Sequence, residues 1–359
     1  MLFNPLVIPA AAYQTVISLR NLAYDLFPGL SQALPVPVIC IGNLTVGGTG
    51  KTPMVARLAE YFAENGIKPA ILSRGYGRRA GRTALVIPPG PLADNLDPAR
   101  LGDEALMLKQ MLPDIPLVLD RDRVRGGQTA LECFQPDLLL MDDGFQHRRL
   151  RRTFNLVMID GQRMFGNRRL LPAGPLREPL SALERADAVV INKTERFKFR
   201  SAAAAAPVLA RVPAAKIFFA GYRISRLRNP TDGTNHRPEE LKPHSALYAC
   251  AGLANNDYFF DLLRQSGLRL KKTMTFGDHH DYQAKDLEKL AGMAAGGRLL
   301  TTAKDAVKLV RLAQDLGRQK FLENLRVCEI ELMIGDEERF FDLLNPFAGD
   351  CRDKLRARP

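Results

Sequence analysis

A glycine-rich segment at residues 42–53, with the sequence GNLTVGGTGKTP, has the residue types needed to bind phosphate groups. Glycines let backbone N–H groups turn inward around phosphate oxygens, and a helix that begins directly afterwards presents its positive end to the same anion. A lysine followed by a hydroxyl residue typically contacts the outer phosphates of a nucleotide and a magnesium ion. The residues expected to bind nucleotide are Thr45, Gly47, Gly48, Thr49, Gly50, Lys51, Thr52 and Pro53.

An acidic pair later in the chain suits the metal ion that accompanies such phosphates. Asp142 and Asp143 directly follow the apolar run 138–141, which is typical of a buried strand. Besides the hydroxyl of the loop, a phosphate-loop protein requires a carboxylate at the end of a neighbouring strand to bind the metal ion. We therefore expect Thr52, Asp142 and Asp143 to hold Mg²⁺ directly or through water, and which aspartate contacts it directly stays open.

These motifs lie in a pattern of alternating apolar strands and helices. Strand-like runs occur at 38–41, 70–72, 138–141, 155–159 and 188–191, and helical periodicity occupies 53–64. Such alternation predicts a parallel sheet covered on both faces. After a loop-like stretch at 226–245, a second α/β pattern begins at 246. We expect an N-terminal helix in 1–35, a nucleotide-binding domain in 36–225, a smaller α/β domain in 226–345 and a basic tail in 346–359.

Composition excludes several classes of protein. The chain has 359 residues, of which 46% are hydrophobic and 25% are charged, so it is neither disordered, collagen-like nor a multi-span membrane protein. Its net charge of +12 favours anionic partners such as phosphorylated substrates, nucleic acid or a membrane surface. The five cysteines are widely spaced without a CxxC pair, which argues against a disulfide framework or a zinc site and favours a reducing cytosol.

The N-terminal segment has two interpretations. Residues 1–19 carry no charge and the first positive residue is Arg20, so the segment lacks the basic start of a secretory signal. Residues 11–27 have a helical pattern with one polar stripe formed by Gln14, Ser18, Asn21 and Asp25. The helix either packs on the core or lies in a membrane surface, with a basic patch elsewhere supplying charge.

A chain with a phosphate loop and a net charge of +12 could also be a GTPase or metallochaperone, or a nucleic-acid-binding module. The sequence Asn192-Lys-Thr-Glu195 is similar to the NKxD motif that reads guanine in GTPases, but Glu195 replaces the required Asp. A nucleic-acid-binding module would place aromatic residues among the basic ones, and the basic segment 146–152 contains none. The choice of nucleotide, and whether lipid or RNA stimulates its turnover, would separate these functions.

The chain resembles the tetraacyldisaccharide 4'-kinase family, the lipid A 4'-kinases of Gram-negative bacteria. The resemblance runs through nearly the whole sequence. At the position of Thr45 in the phosphate loop, the family has threonine as this chain does. Ala303 departs from the acidic residue expected at its position. The matching motifs are GNLTVGGTGKTP at 42–53, SRGYGR at 73–78, GDEA at 102–105, DDGFQHRRLRR at 142–152, LPAGPLREP at 171–179, AGLANNDYFF at 251–260, FGDHHDY at 276–282 and TTAKDAVKL at 301–309.

The resemblance implies an activity and a location. Members transfer the γ-phosphate of ATP to the 4'-hydroxyl of tetraacyldisaccharide 1-phosphate, giving lipid IVA in lipid A biosynthesis. The implied fold is a P-loop α/β/α sandwich with a second, smaller α/β domain and an N-terminal membrane-associated helix. The implied partners are ATP, Mg²⁺, the lipid A disaccharide precursor and the anionic cytoplasmic face of the inner membrane. We expect a monomer that does not bind nucleic acid.

The resemblance also assigns roles to individual residues. Asp103 is the base that accepts the proton of the sugar hydroxyl, and His279, rather than the neighbouring His280, is its partner. Glu104 is expected to lie beside Asp142 and Asp143 and to contribute to the Mg²⁺ site. The residues expected to contact the substrate are Arg74, Tyr76, Arg78, Arg123, His147, Arg148 and Arg177.

Overall fold

The computed structural model describes residues 6–75, 83–91, 101–194, 199, 201–241, 246–278 and 280–347, with the side chain of Asp103 excepted. The chain forms two compact units. The first contains residues 1–221 and 334–359, and the second contains residues 222–333. The second unit is therefore inserted into the sequence of the first.

The two units contain both helices and strands, and the mixed α/β class expected from the sequence is confirmed. The described helices are α1 (Val7–Leu26), α2 (Lys51–Glu64), α3 (Asp103–Met111), α4 (Arg123–Phe134), α5 (Ala202–Leu209), α6 (Asn256–Gln265), α7 (Ala284–Met293), α8 (Ala303–Asp315), α9 (Gln319–Asn324) and α10 (Glu337–Asp342). The described strands are β1 (Val38–Gly42), β2 (Pro69–Ser73), β3 (Leu85–Ile87), β4 (Leu117–Leu119), β5 (Leu138–Asp142), β6 (Phe154–Asp160), β7 (Ala188–Asn192), β8 (Ile217–Arg228), β9 (Asn235–His236), β10 (Leu247–Ala251), β11 (Leu270–Thr275), β12 (Arg298–Thr302) and β13 (Leu325–Ile334).

The sheet of the first unit is almost entirely parallel. Its strand order is β8-β7-β6-β1-β5-β2-β4-β3, in which β3 alone of these strands runs antiparallel to its neighbour. Every residue of β1, β2, β5 and β7 is buried. Unbroken burial explains why these strands appear in the sequence as continuous apolar runs rather than as alternating patterns. Because β1, β5 and β6 are adjacent and parallel, the loops that follow them emerge at one edge of the sheet.

The second unit has its own parallel strands and its own core. The order is β11-β10-β12-β13, followed by the part of β8 that lies in this unit, and β9 pairs antiparallel with β8. Strand β8 begins in the first unit and ends in the second. It extends to Arg228, past the start of the stretch that sequence composition marks as a loop.

Helix α1 turns apolar side chains outward. The residues it buries are Ala10, Ile17 and Asn21, so Asn21 of the polar stripe faces the protein. The outward residues include Leu19, Leu22 and Leu26, which share one helix face and are 60%, 51% and 62% exposed. Within the described residues, no helix is both long and apolar enough to span a membrane.

A buried carboxylate attaches α1 to the rest of the first unit. Glu178 is fully buried and accepts hydrogen bonds from Asn21 Nδ2 at 2.9 Å, Arg20 Nη2 at 3.3 Å and Arg185 Nη2 at 2.6 Å. The Tyr13 hydroxyl donates to the carbonyl oxygen of Arg177, the residue before this carboxylate, at 3.0 Å. A buried charge is tolerated only when such partners satisfy it. The helix is thus fixed by specific polar contacts.

The C-terminal part of the first unit packs on α2. After β13 the chain forms α10, whose Glu337 accepts from Arg57 Nη2 at 2.9 Å. Phe341 of α10 stacks on Tyr61 with ring centroids 3.9 Å apart, and the Arg57 guanidinium lies 4.7 Å from the centroid of the Phe341 ring. Both Arg57 and Tyr61 belong to α2, the helix that directly follows the glycine-rich segment.

Candidate active site

The glycine-rich segment joins β1 to α2, as the sequence predicts, and α2 begins at Lys51, two residues earlier than expected. Gly47 and Gly50 have φ values of +102° and +87°, which non-glycine residues rarely adopt. Asn43 fixes the loop from within, because its Nδ2 donates to the carbonyl oxygen of Thr45 at 2.8 Å and to Thr49 Oγ1 at 3.1 Å. The loop therefore has a defined shape held by its own side chains.

Two other segments are held against this loop. Gly42 lies so close to Phe145 that a Cβ on the glycine would be 2.5 Å from the Phe145 Cβ, which brings the segment after β5 against the start of the loop. On the other side, the Val46 N–H donates to the carbonyl oxygen of Pro175 at 2.9 Å, and the Arg177 N–H donates to that of Leu44 at 2.7 Å. The loop is thereby flanked by the acidic pair and by the segment that carries Arg177.

Asp143 connects these segments electrostatically. Its carboxylate accepts two hydrogen bonds from Arg177 Nη1, at 2.8 and 2.9 Å, and lies 3.5 Å from Lys51 Nζ. Although burial acts in the opposite sense, the positive charges of Lys51 and Arg177 lower the pKa of Asp143. The residue has a φ of +48°, and its position at a strand end beside a phosphate loop is where such backbone strain is commonly found. It is a fixed negative charge at neutral pH.

Asp142 has the opposite electrostatic character. Burial raises its pKa to about 7, and the negative charges of Glu104 and Asp143 add to this effect. Its Oδ2 accepts from the Ser73 hydroxyl at 3.3 Å, whereas its Oδ1 is buried and has no hydrogen-bond partner among the described residues. A buried carboxylate oxygen without a donor, close enough to Glu104, Asp143 and Lys51 for their charges to act on it, fits a site for a divalent cation.

Side chains alone do not complete a metal site in the part of the chain that the structure describes. No group of three His, Cys, Asp or Glu side chains there is arranged to hold a metal ion. This arrangement is compatible with Mg²⁺, which usually keeps several waters and binds through one or two carboxylates together with substrate phosphates.

Arg123 and His147 line the same edge of the sheet. Arg123 is 3% exposed; its guanidinium donates to the carbonyl oxygens of Asp120 and Asp142, and its Nε has no partner among the described residues. Burial, reinforced by the positive charge of Arg123, lowers the pKa of His147 to about 4, so the imidazole is neutral at pH 7. Its buried Nε2 also lacks a partner within the described ranges. Buried nitrogens of this kind normally have a hydrogen-bond partner, and the described residues supply none for these two.

The other residues expected to bind substrate are placed differently. Arg74 is exposed directly after β2, and Tyr76 and Arg78 lie outside the described residues. Arg148 turns to α1, where it donates to the carbonyl oxygen of Asn21 at 2.9 Å and to Asp25 at 2.6 Å. A substrate role for Arg148 stays a prediction, as it does for the others.

The two residues expected to form the base and its partner fall largely outside what is described. Asp103 is the first residue of α3, and its side chain is not described; neither is His279. Their roles stay predictions. The neighbouring Glu104 is described and exposed, and its charge acts on Asp142.

In the second unit, the residues around position 279 are held by charged contacts. Asp278 Oδ1 lies 2.7 Å from Lys304 Nζ, and His280 Nε2 lies 3.0 Å from Asp286 Oδ2. The Tyr282 hydroxyl donates to the buried Asp305 at 2.9 Å. The motifs at 276–282 and 301–309 thus meet within this unit. His280 is bonded to Asp286, and the choice of His279 as the partner of the base stays a prediction.

Sequence reasoning missed two groups near the loop. Glu178 gave no signal beyond its place in the motif at 171–179, because its partners on α1 lie 157 and 158 residues away in sequence. Asn192 and Lys193 were noted only for their similarity to a guanine reader. In the structure their side chains contact the glycine-rich segment, with Lys193 Nζ 2.9 Å from the Gly48 carbonyl oxygen and Asn192 Nδ2 3.1 Å from that of Thr49.

Comparison with known proteins shows which proteins share this arrangement. Residues 3–348 match the family described as tetraacyldisaccharide-1-P 4'-kinase. The chain belongs to this family. A tetraacyldisaccharide 4'-kinase from Geobacter sulfurreducens is 41% identical over 311 residues, which cover 85% of this chain and 83% of that protein. One from Geobacter metallireducens is 38% identical over 320 residues, which cover 87% and 90%.

A solved structure of a family member has the same fold. The crystal structure of LpxK from Aquifex aeolicus, an "apo" form in complex with ATP, aligns with a TM-score of 0.74 at 31% identity. The alignment covers 95% of this chain and 98% of that one. Because the alignment covers 95% of this chain, the match is not limited to the phosphate loop that many nucleotide-binding proteins share.

Proposed function

We propose that this chain is an ATP-dependent lipid kinase that phosphorylates the 4'-hydroxyl of tetraacyldisaccharide 1-phosphate, forming lipid IVA in lipid A biosynthesis. The observation that carries the proposal is a phosphate loop with Lys51 and an acidic pair at its edge, in a chain that matches the kinase family over residues 3–348. A generic phosphate loop would support nucleotide binding but not the acceptor. The full-length family match supports the acceptor.

The nucleotide-binding residues act through charge and position. The loop N–H groups surround the phosphates, and Lys51 contacts the outer ones, where negative charge moves as the phosphoryl group departs. Asp143 forms ion pairs with both Lys51 and Arg177 and so orients these two side chains. Asp142 and the Thr52 hydroxyl would hold Mg²⁺, with Glu104 nearby. When bound, that ion neutralises charge on the phosphate oxygens.

Asp103 is the proposed base. A sugar hydroxyl does not ionise near neutral pH, so a carboxylate must accept its proton as the oxygen forms its bond to the γ-phosphorus and the bond to ADP breaks. His279 is proposed to orient this carboxylate. The family motifs at 102–105 and 276–282 support the pair.

Basic residues around the edge of the sheet are proposed to bind the 1-phosphate and the disaccharide. Arg123 and neutral His147 present buried nitrogens without partners among the described residues, so they could bind ligand oxygens without first breaking internal hydrogen bonds. The remaining residues proposed to bind substrate are Arg74, Tyr76, Arg78, Arg148 and Arg177. Arg148 would contribute chiefly by fixing α1.

Helix α1 is proposed to bind the anionic cytoplasmic face of the inner membrane, with the protein acting there as a monomer. A substrate with four acyl chains stays in the bilayer, because each buried methylene stabilises it there by about 0.8 kcal/mol. The outward apolar face of α1 and the net charge of +12 supply the two weak signals that reversible membrane attachment needs.

Replacing Leu19, Leu22 and Leu26 together by glutamine is expected to weaken binding to anionic vesicles by about 100-fold or more, because burying each leucine contributes roughly 1.5–3 kcal/mol. Vesicle co-sedimentation measures the effect. The matched control replaces Leu209 and Leu316, exposed leucines elsewhere on the protein. Equal vesicle binding by the triple variant and wild type would contradict the docking role.

The activity itself is tested with purified protein, MgATP and detergent-dispersed tetraacyldisaccharide 1-phosphate, using mass spectrometry to locate the new phosphate. Wild type should form the 4'-phosphate, and Asp103→Ala should lose about 100- to 10,000-fold in rate, the usual contribution of a positioned base. Asp114→Ala, which removes an exposed carboxylate after the same helix, is the control. ATP binding without lipid product would overturn the substrate assignment, and an unimpaired Asp103→Ala variant would overturn the base.

A further inference from the structure

Asn192, the last residue of β7, and Lys193, which follows it, both contact the phosphate loop. Lys193 Nζ lies 2.9 Å from the carbonyl oxygen of Gly48 and 2.6 Å from Asp160 Oδ2. Asn192 Nδ2 lies 3.1 Å from the carbonyl oxygen of Thr49. Two adjacent side chains therefore hold two successive carbonyl groups of the loop, and the chemistry proposed above assigns neither of them a role.

The covalent geometry of the peptide gives these contacts a consequence. In a trans peptide the C=O and N–H bonds point in opposite directions. Holding the Gly48 carbonyl on the outside of the loop turns the Thr49 N–H away from Lys193, and holding the Thr49 carbonyl does the same for the Gly50 N–H. Both N–H groups are then directed away from the clamp that Asn192 and Lys193 form, towards the side of the loop on which phosphate would bind.

The clamp is itself rigidly held. Asp160 is 4% exposed, and its Oδ1 accepts the N–H groups of Gln162 and Arg163 at 3.0 and 3.2 Å, so its Oδ2 is aimed at Lys193. Lys193 has a φ of +57°, and its N–H donates to Asn192 Oδ1 at 2.8 Å. A left-handed lysine costs about 1–2 kcal/mol, a strain that persists where the surroundings fix the conformation. An ordinary surface lysine would need neither the strain nor the buried carboxylate.

We propose that Asn192 and Lys193 are positioning residues that preset the N–H groups of the phosphate loop, so that the loop binds the phosphates of the nucleotide without rearranging. This inference rests on the nucleotide site of the proposed function but not on the lipid acceptor. The pair acts on the phosphate end of the nucleotide and is indifferent to the base. This distinguishes it from the guanine-reading role that the sequence pattern suggests.

The test compares nucleotide affinity in variants chosen to keep the fold. Lys193→Met combined with Asp160→Asn removes the clamp without leaving a buried carboxylate unpaired, and the asparagine oxygen can still accept the two N–H groups. We expect this double variant to bind MgATP about 30-fold more weakly by calorimetry, equivalent to about 2 kcal/mol, with a KM for ATP that rises much more than kcat falls. The single variant Lys193→Arg, which keeps a positive charge beside Asp160, should keep most of the wild-type affinity for MgATP. The control Lys216→Met, at an exposed position, should bind MgATP like wild type.

Inorganic tripolyphosphate, which has no base or sugar, provides the decisive second probe. Its affinity should fall by the same factor as that of MgATP in the double variant and in Asn192→Ala. Unchanged MgATP affinity in a folded variant, or a loss confined to MgATP, would overturn the inference. Because both probes report binding, a failure of lipid phosphorylation by wild type would count against the proposed function and leave this result unaffected.

Discussion

Replacing Lys51 by methionine is expected to lower kcat/KM by about 1,000-fold, because the variant keeps most of the side-chain volume and loses the charge that pairs with Asp143 and is proposed to contact the outer phosphates. The Lys51 ammonium lies 3.5 Å from Asp143 Oδ1 and is largely buried, so water cannot replace it effectively. Removing a preorganised charge from such a site typically costs roughly 100- to 1,000-fold in rate. Steady-state kinetics with saturating lipid measures the loss.

The control for this prediction is Lys68→Met, which removes an exposed lysine at the far end of the loop that follows α2. It should leave both kinetic constants unchanged. If Lys51→Met raised KM for ATP without lowering kcat, the lysine would bind ground state and transition state equally, contrary to the proposed role in stabilising charge during transfer.

Asp142→Asn is expected to lower kcat by about 1,000-fold and to remove a specific pH dependence. With a pKa of about 7 in the folded protein, wild-type Asp142 is protonated below neutral pH and must lose that proton to bind a cation. The apparent Mg²⁺ affinity of wild type should therefore rise about tenfold per pH unit up to pH 7 and level off above it. Mg²⁺ titrations of activity between pH 6 and 8 measure this profile.

The sign for stability is opposite to that for metal binding. Because the folded state raises the pKa of Asp142 above its unfolded value of about 3.9, the folded protein binds more protons between pH 4 and 7. The contribution of this group to the free energy of unfolding therefore falls as pH rises through that range in metal-free protein. Mg²⁺ with nucleotide should offset this loss, and EDTA should restore it.

Asp143 provides a matched comparison on the adjacent residue. Its pKa is lowered, since Lys51 and Arg177 outweigh the effect of burial, so it stays ionised across the whole pH range tested. Asp143→Asn should reduce activity and keep the inflection but move it to lower pH, because the negative charge of Asp143 helps to raise the pKa of Asp142. An inflection that disappears with Asp143→Asn and survives in Asp142→Asn would reverse the assignment of the two carboxylates.

Local sequence patterns predicted the parts of the site that depend on neighbouring residues. The strand, glycine-rich loop and helix around Lys51 are consecutive in sequence, and the strand before Asp142 and Asp143 is an unbroken apolar run, so each was recognisable by itself. That β1 and β5 lie side by side was expected because a phosphate loop requires a carboxylate at the end of a neighbouring strand.

Contacts between distant residues could not be predicted in the same way. The pairing of Lys193 with the Gly48 carbonyl spans 145 residues, and that of Asn21 with Glu178 spans 157. Each depends on side-chain directions that only the assembled sheet determines. The burial of Asn21 on α1 was unpredictable for this reason: a hydropathy pattern assumes an apolar interior, and beneath Asn21 the interior contains a carboxylate.

The division of the first unit into two stretches of sequence has a consequence for biosynthesis. Arg57 and Tyr61 on α2 meet partners that follow them by 280 and 284 residues, so the ribosome delivers those partners only after the entire second unit. Until then, one face of the helix that starts at Lys51 lacks Phe341 as its covering. A nascent chain therefore cannot complete the packing of α2 until residues 337–345 have been synthesised, after the entire second unit.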